Sequence, residues 1–343
     1  MALGHDVGCG CRGVDVHAHM VPENFPAYVG SSIPADWPSM APGADCHHRQ
    51  VMIAGCNYRT VSDHCWSATR RLEDFDAMGL ALQVVSPMPE LLSYWMPAGP
   101  ARQLVRFLNE EVAAMVAQSQ GRMAGFGAVP LQDMDAALAE LHYLHGTLRL
   151  QGVEIGSNVN GVPVGDPRLL PFFEACVALD LPVFVHALRP AGMDRLVGPP
   201  PLQQVLAYPT DVGLAAASVI TGNLMARLPG LRIAFSHGGG TLAMLLPRLQ
   251  QSVGVFPALR EGLQGDPVQV ARSLYYDTLV FDEATLRHLV ATLGASQLML
   301  GTDYPFNFHE RRPVDRVMAL GLEPALSAQL VEGNARRFLG IAP

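Results

Sequence analysis

Val14-Asp-Val-His-Ala-His19 is the stretch of the chain that decides the fold. Val14 and Val16 are β-branched and alternate with polar residues, which is the pattern of a strand. Side chains two residues apart on a strand point to the same side, so His17 and His19 present their imidazoles together. Two imidazoles on one rigid strand form half of a site for a divalent transition metal. An ordinary strand whose histidines make local hydrogen bonds fits the same six residues, and later stretches decide between the two interpretations.

The composition describes a globular protein with a large core. The chain has 343 residues, of which 49% are hydrophobic and 16% charged, and this length is normal for an elaborated α/β barrel. No apolar run reaches the roughly 20 residues that cross a bilayer, and the N-terminus lacks a secretory-signal pattern. The net charge is −8 without a basic block, which argues against a nucleic-acid partner. Six irregularly spaced cysteines indicate reduced thiols and a cytoplasmic location.

The chain contains no lysine, so all 23 of its basic residues are arginine. Schiff-base chemistry, a P-loop lysine and a metal bridge built on a carboxylated lysine are therefore excluded. The codon bias of a GC-rich genome produces the same absence, so selection on function is not needed to explain it.

An irregular region rich in proline, glycine and polar residues follows the first strand, at about 21–67. It contains Cys46-His47-His48, Cys56 and His64-Cys65, whose residue types could form a second zinc site, although their spacings match no familiar zinc module. The alternative is an active-site loop, or a short hairpin around 51–61. Long loops in compact domains are usually functional or carry small elements of their own, so we favour this alternative.

Short apolar strands alternate with helices from Ala68 onward. This order predicts a parallel sheet that is buried on both faces, and about eight units close into a (β/α)₈ barrel. No internal repeat or linker divides the chain, so we expect one domain over 1–343. The predicted strands after the first are 80–86, 123–129, 152–156, 182–186, 231–237, 274–277 and 297–303. The predicted helices are 68–78, 101–118, 134–145, 167–179, 212–228 and one that begins at Glu283.

In a barrel of this kind the active site lies at the carboxyl ends of the strands. A single polar side chain at such an end has little meaning, but four histidines and an aspartate at successive ends are difficult to obtain by chance. Nitrogen and carboxylate ligands that converge from different strands suit Zn²⁺ or a similar ion. The polar residues at the predicted ends are His17, His19, Glu154, His186, His237 and Asp303.

With these residues in place, the sequence resembles the amidohydrolase superfamily and, within it, the 2-amino-3-carboxymuconate-6-semialdehyde decarboxylase (ACMSD) family. The resemblance runs from Val14 to about Gly340. The stretches that carry it are Asp15-Val-His-Ala-His19, Ser93-Tyr-Trp95, Gly152-Val-Glu-Ile-Gly156, Phe184-Val-His186, Ser236-His-Gly-Gly-Gly240 and Leu300-Gly-Thr-Asp-Tyr-Pro-Phe306.

The resemblance implies one zinc ion, or another divalent transition metal, in each chain, with a water completing its shell. The implied ligands are His17, His19, His186 and Asp303. His237 would be the general base that deprotonates the water, and Asp303 would serve the reaction as well as the metal. Binuclear members of the superfamily use a carboxylated lysine near the position of Glu154. A glutamate there could bridge a second metal, but we expect Glu154 to support the ligands or to contact the substrate.

Arginines are the implied contacts for an anionic substrate, because Arg binds carboxylate with a planar fork. Arg59 matches the family's substrate-carboxylate arginine, and Trp95 and Phe306 are further implied substrate contacts. Arg248 lies eleven residues after His237, too far along the next helix to return easily to its own pocket. The matching family arginine reaches the neighbouring subunit's site, so the resemblance implies a homodimer. A solvated surface position is the alternative for either arginine.

The sequence departs from the family after the fifth-strand histidine. His186-Ala-Leu-Arg-Pro190 stands where the family has Pro-Trp, and Gln204 falls at the position of another family tryptophan. Those tryptophans help to shape the substrate pocket, so the substrate is expected to differ from that of ACMSD. Arg189 is either a further anion contact or a surface residue.

The function that the resemblance implies is the non-oxidative decarboxylation of a small unsaturated or aromatic carboxylate through a zinc-activated water. The alternative is a hydrolase or cyclase that acts on a C–N or C–O bond, because one fold supports many reactions. A module without activity is a third interpretation. Such a module is expected to lose ligands, whereas every ligand position is filled here.

Overall fold

Eight parallel strands form the centre of the protein, for which a computed structural model describes residues 12–342. They form one sheet in sequence order. Backbone hydrogen bonds from Val16 to Leu300, at 2.9 Å, and from His19 to Tyr304, at 2.7 Å, join the last strand to the first. The predicted (β/α)₈ barrel is confirmed. Its strands are β1 (Gly13–Met20), β2 (Leu80–Pro87), β3 (Met123–Gly127), β4 (Gly152–Gly156), β5 (Val183–His186), β6 (Ile233–Phe235), β7 (Tyr275–Asp277) and β8 (Leu298–Met299).

Apolar side chains fill both faces of this sheet. All eight residues of β1 are buried, as expected of a strand that is covered on both sides. Val14, Phe126 and Phe184 belong to a cluster inside the barrel, and Phe338 packs against that cluster from the last helix. A larger apolar cluster lies between the strands and the surrounding helices. The interior is therefore a packed core, and only the ends of the strands are available for chemistry.

Helices surround the barrel, and none among residues 12–342 is long and apolar enough to cross a bilayer. Three of these helices begin at a capping residue, whose side-chain oxygen accepts a hydrogen bond from a backbone N–H of the first turn. The capping residues are Ser67, Asp133 and Asp282. The helices are Ala68–Met78, Ala98–Gln118, Met134–Gly146, Leu170–Ala178, Tyr208–Thr221, Leu224–Arg227, Leu242–Val255, Pro257–Gly262, Pro267–Ala271, Glu283–Leu293, Pro313–Met318, Pro324–Ala328 and Asn334–Leu339.

Several predicted elements differ from the observed bounds by a few residues, and two of the differences have a clear backbone cause. The predicted helix 212–228 begins earlier, at Tyr208, and it breaks after Thr221 because Asn223 has a φ of 59°. The predicted strand 297–303 is regular only over Leu298–Met299, and single bridges at Leu300 and Tyr304 continue its pairing with β1. Asp303, with a φ of 62°, lies in the left-handed region and interrupts the strand between these two bridges.

The region at about 21–67 contains a three-stranded antiparallel sheet, made of Ser39–Pro42, His48–Ile53 and Cys56–Ser62. Its last two strands form the hairpin that was predicted around 51–61, with a two-residue turn at Ala54 and Gly55, both at positive φ. Arg59 pairs with Val51 while Asn57 pairs with Met52, so Tyr58 is the extra residue of a β-bulge. A bulge redirects the side chains around it, and here it brings Tyr58 and Arg59 to the open end of the barrel.

The turn after β6 fixes the direction in which the next helix leaves the barrel. Gly240 in this turn has φ 58° and ψ −127°, a conformation open essentially to glycine alone. A Cβ on Gly240 would lie 1.8 Å from the carbonyl oxygen of Pro209. The close approach of these two backbones therefore requires glycine at this position.

We expect Gly240→Ala to destabilise the protein by about 2 kcal/mol or more, because the added methyl group meets backbone and the new residue is strained. Chemical denaturation would measure the loss. Gly254→Ala is the matched control, since a Cβ there meets nothing within 4 Å and alanine favours the helix. Equal stability of the two variants would contradict this account of the turn.

Candidate active site

Four of the residues singled out from the sequence converge at the carboxyl end of the barrel. One ligand atom from each of His17, His19, His186 and Asp303 lies within 4.8 Å of the others. The Nε2 atoms of His17 and His19 are 3.2 Å apart. Asp303 Oδ1 lies 3.1 Å from Nε2 of His19 and 3.6 Å from Nε2 of His17. Such a group could hold a metal ion, and residues 12–342 contain no other group of this kind.

The cysteines and histidines of the inserted region do not form a second group. His47 Nδ1 lies 2.8 Å from an oxygen of Asp63, and His48 Nδ1 lies 2.7 Å from an oxygen of Asp45. Cys46 and Cys56 are exposed, whereas Cys65 is buried. Among the described residues, the alternative of a second zinc site therefore finds no support.

Each of the three imidazoles is oriented through its Nδ1 atom. A ring nitrogen that is held in this way fixes the ring and leaves Nε2 free for a ligand. Nε2 of His186 is in fact buried without a hydrogen-bond partner. The Nδ1 partners are Asp277 Oδ2 for His17 at 2.6 Å, Ser86 Oγ for His19 at 3.2 Å, and the Ala187 carbonyl for His186 at 2.8 Å.

Burial keeps these imidazoles neutral. Desolvation lowers the pKa of His17 to about 3, and it lowers the pKa values of His19 and His186 well below the ordinary value. Neutral imidazole is the form that binds a metal ion, so the three rings are ready to act as ligands without losing a proton.

Asp277, which was not singled out from the sequence, joins the candidate ligands to the candidate base. Its Oδ2 accepts from Nδ1 of His17 and, at 3.0 Å, from the backbone N–H of His237. Its Oδ1 accepts from the backbone N–H groups of Gly238, at 2.7 Å, and Leu279, at 3.0 Å. Burial raises the pKa of Asp277, and these donors oppose the rise. Its position at the end of β7 follows the same strand-end rule that identified the other residues.

His237 lies at the end of β6, beside the candidate ligands. Its ring centroid is 5.4 Å from that of His17 and 5.1 Å from that of His186. Ser236 Oγ lies 3.1 Å from its Nδ1, while Nε2 has no hydrogen-bond partner among residues 12–342. Desolvation lowers the pKa of His237 to about 3. A neutral imidazole with one free nitrogen at the cavity wall can accept a proton from a bound molecule.

Glu154 lies behind His19 and outside the cavity wall, a position that fits the predicted support of the ligands and not the alternative of a substrate contact. Its Oε2 accepts from Ser86 Oγ at 2.5 Å and lies 3.7 Å from Nδ1 of His19, while its Oε1 is buried without a partner. Burial raises the pKa of Glu154 well above its ordinary value. Ser86 Oγ therefore links the carboxyl group of Glu154 to the imidazole of His19.

A cavity of about 280 Å³ opens above these residues. Arg59 forms part of its wall, with its guanidinium carbon 4.1 Å from the centroid of the Phe306 ring. Phe306 in turn stacks on His19 at 5.5 Å. The cavity is lined by Tyr58, Arg59, Met88, Pro89, Glu90, His186, Ala187, Leu188, Gln204, Val205, Tyr208, Pro209, His237, Gly240, Leu279, Val280, Phe281, Asp303, Phe306 and Phe308.

Besides Glu154, two more of the predicted substrate residues lie outside this wall. Trp95 lines a neighbouring depression, where the guanidinium of Arg189 lies 3.0 Å from its ring centroid. Arg189 also pairs with Glu90 at 3.0 Å, so it is committed to protein partners. Arg248 is exposed on the helix Leu242–Val255 and does not reach the cavity of its own chain.

Comparisons with known proteins agree with this geometry. The amidohydrolase family model matches residues 14–341. ACMSD from Dictyostelium discoideum is 32% identical over 96% of this chain and 92% of that protein. The crystal structure of 5-carboxyvanillate decarboxylase from Sphingomonas paucimobilis is 27% identical, covers 80% of this chain and 83% of that chain, and has a TM-score of 0.71.

A dihydroxybenzoic acid decarboxylase from Polaromonas sp. JS666, solved with bound manganese and the inhibitor 2-nitroresorcinol, has the same fold. It is 20% identical, covers 96% of this chain and 97% of that chain, and has a TM-score of 0.77. The resemblance that was inferred from the strand-end motifs is thus confirmed over nearly the whole chain. The protein belongs to the amidohydrolase superfamily and, within it, to the ACMSD family of decarboxylases.

Proposed function

We propose that this protein is a metal-dependent, non-oxidative decarboxylase of a small aromatic or unsaturated carboxylate. The observation that carries the proposal is the buried set of three neutral imidazoles and Asp303, with Nε2 of His186 unpartnered, beneath a cavity that contains Arg59. The relatives named decarboxylases add support, because two of them act on ring carboxylates according to their names.

The residues fit a single metal ion. Ligand atoms of a tetrahedral zinc with bonds of about 2.0–2.1 Å lie about 3.3 Å apart. The distances of 3.1, 3.2 and 3.6 Å between ligand atoms of His17, His19 and Asp303 agree with this value. We propose that the metal is zinc. Manganese is the alternative to be tested, because the Polaromonas enzyme was solved with bound manganese. Glu154 is not part of the group, which favours one metal ion per chain over two.

When bound, the metal would activate an oxygen ligand and stabilise negative charge that develops on the substrate. In a non-oxidative decarboxylation the bond between a carbon and its carboxylate breaks, carbon dioxide leaves, and a proton takes its place on the carbon. Nε2 of His237 is the candidate group for moving this proton, since it is neutral and unpartnered at the cavity wall.

Arg59 would hold a carboxylate of the substrate. Its guanidinium is fixed against Phe306, and a guanidinium placed in this way can donate two parallel hydrogen bonds to a carboxylate. Phe306, stacked on His19, would form an apolar floor for a planar molecule. Together they would position the substrate above the candidate metal ligands.

We also propose a homodimer in which Arg248 reaches the partner's site. Arg248 makes no hydrogen bond or ion pair with residues 12–342. Met244 and Leu245 on the same helix are 72% and 43% exposed, and Leu214 on the helix Tyr208–Thr221 is 52% exposed. Large exposed apolar side chains beside an unpaired arginine are what a subunit interface needs.

We place the protein in the cytoplasm. Four cysteines lie within the described residues, namely Cys46, Cys56, Cys65 and Cys176, and all four are free thiols. Free thiols persist in a reducing compartment, which supports this location.

For the metal, we expect elemental analysis of the purified protein to give one zinc per chain. Asp277→Asn should weaken metal affinity about 10- to 100-fold, because the amide cannot orient His17 as the carboxylate does. Asp135→Asn, at an exposed position, is the matched control and should bind normally. Two metals per chain would refute the mononuclear site and make Glu154 the candidate bridging ligand. Manganese in place of zinc would refute the proposed identity of the metal.

For the reaction, we expect carbon dioxide release from a member of a panel of aryl and muconate carboxylates, and no hydrolysis of matched esters and amides. His237→Ala should keep its metal and lose turnover about 10²-fold or more. His142→Ala, at an exposed position, is the control. Ester or amide hydrolysis without carbon dioxide would replace the proposal by the hydrolase alternative, and a metal-free His237→Ala protein would make His237 a ligand.

For the dimer, Arg248→Ala and His237→Ala homodimers should each be inactive, while mixed dimers should recover activity. Each mixed dimer has one site that combines an intact His237 with the partner's Arg248, so random mixing should restore about a quarter of the sites. Arg260→Ala should keep its activity as a control for the loss of an exposed arginine. No recovery in demonstrably mixed dimers would mean that Arg248 does not act in the partner's site.

A further inference from the structure

Glu90 contributes a carboxylate to the cavity wall, and the proposed reaction gives this carboxylate no role. It lies in a helical turn, Pro89–Leu92, directly after β2, and its side chain is only 10% exposed. Its Oε1 accepts from Arg189 twice, from Nε at 3.3 Å and from Nη2 at 3.0 Å. No side chain or backbone group of residues 12–342 donates to its other oxygen, Oε2.

Arg189 holds this carboxylate in place. Its guanidinium lies 3.0 Å from the ring centroid of Trp95, and its two donors to Glu90 leave from the same planar group. A cation that is stacked on an aromatic ring and paired with a carboxylate is fixed at both ends. The loop after β5 therefore fixes Glu90, which comes from the loop after β2.

The rest of the wall presents few other charges. Arg59 is the only arginine among the described lining residues. Burial raises the pKa of Glu90, and the nearby Arg189 and Arg59 oppose the rise. Tyr58 and Tyr208 contribute hydroxyl groups, and burial raises the pKa of each, so both are neutral. Apart from the candidate metal ligand Asp303, the wall thus offers one cation for an anionic group and one carboxylate oxygen, Oε2 of Glu90, to which no group of residues 12–342 donates.

We propose that Glu90, positioned by Arg189, is a specificity-determining residue that accepts a hydrogen bond from a hydroxyl or amino group of the substrate. The substrate class is then a carboxylate that carries one such donor on its unsaturated skeleton. No protein group donates to this oxygen at the cavity wall, so a ligand that donates to it gains a hydrogen bond to a charged acceptor. A second carboxylate at the same place would instead be repelled. This inference rests on the proposed decarboxylase function for the identity of the site.

Binding tests the inference without turnover. Calorimetry on the metal-loaded protein would compare 3- and 4-hydroxybenzoate with their methoxy counterparts, which keep the ring oxygen but cannot donate. We expect the hydroxy compound to bind about 10-fold more tightly at one or both ring positions, the gain of a hydrogen bond to a charged group. Glu90→Gln should lower this ratio several-fold, because a neutral amide oxygen is a weaker acceptor than a carboxylate, and Glu174→Gln, at an exposed position, should leave it unchanged.

A second pair of ligands separates specificity from mere structural support. Isophthalate and terephthalate carry a second carboxylate at the same two ring positions. At the ring position where the hydroxy compound is preferred, we expect Glu90→Gln to bind the dicarboxylate several-fold more tightly and the hydroxy compound more weakly. The double variant Glu90→Gln/Arg189→Met, which leaves no unpaired cation, should also lose the hydroxy preference.

Three results would overturn the inference. They are the absence of a hydroxy preference in the natural protein, an unchanged preference in Glu90→Gln, or an equal loss of affinity for all the ligands in that variant. The absence of carbon dioxide release from every acid tested would refute the decarboxylase but would leave these binding ratios as they are. The two failures are therefore distinguishable.

Discussion

The candidate site depends on the hydrogen bonds that the buried carboxylate of Asp277 accepts. Asp277 is the last residue of β7, and its carboxylate accepts hydrogen bonds from His17 of β1 and from the backbone N–H groups of His237 and Gly238, which follow β6. His17 is a candidate metal ligand and His237 is the candidate base, so one side chain sets the position of both. A carboxylate in an apolar interior is stable only when its acceptor positions are filled, and all four of its hydrogen bonds come from fixed groups. The network is therefore rigid, which a metal site needs.

Positive φ angles explain why the ends of the strands carry the chemistry. Asp303 has a φ of 62° and His237 a φ of 54°, both in a region that residues other than glycine rarely occupy. Hydrogen bonds hold them there, from Asp303 N–H to the carbonyl of His17 at 2.8 Å and from His237 N–H to Asp277 at 3.0 Å. Regular pairing must stop at or before such a residue, and the side chain then turns towards the barrel axis.

The sequence predicted the parts of the site that depend on local patterns. Alternation in β1 placed His17 and His19 on one side, and the strand-end rule found His186, His237 and Asp303 without any knowledge of contacts. The early end of regular pairing in β8 was not predictable, because no local pattern shows that Asp303 adopts a positive φ. Asp277 obeyed the same rule as the histidines and could have been found by it.

Contacts between distant parts of the chain were beyond sequence reasoning. Glu90 and Arg189 are 99 residues apart, and neither residue's local pattern indicates that it has a partner. The choice between an anion contact and a surface position for Arg189 could not be made without the position of Trp95. Long-range pairs of this kind depend on how loops from different strands approach each other. The spacing of polar and apolar residues along the chain does not indicate which loops meet.

Chemistry and specificity therefore come from different levels of the structure. Strand ends, fixed by the hydrogen-bonded barrel, hold the candidate ligands and base. The walls come largely from the hairpin after β1 and from the segments after β2, β5, β7 and β8. Loops tolerate substitution more readily than paired strands do. The stretch His186-Ala-Leu-Arg-Pro190 contributes Leu188 to the wall and positions Glu90 through Arg189, while His186 keeps its place among the candidate ligands. A family that shares the barrel and its strand ends can thus keep one reaction type while each member's loops select a different carboxylate.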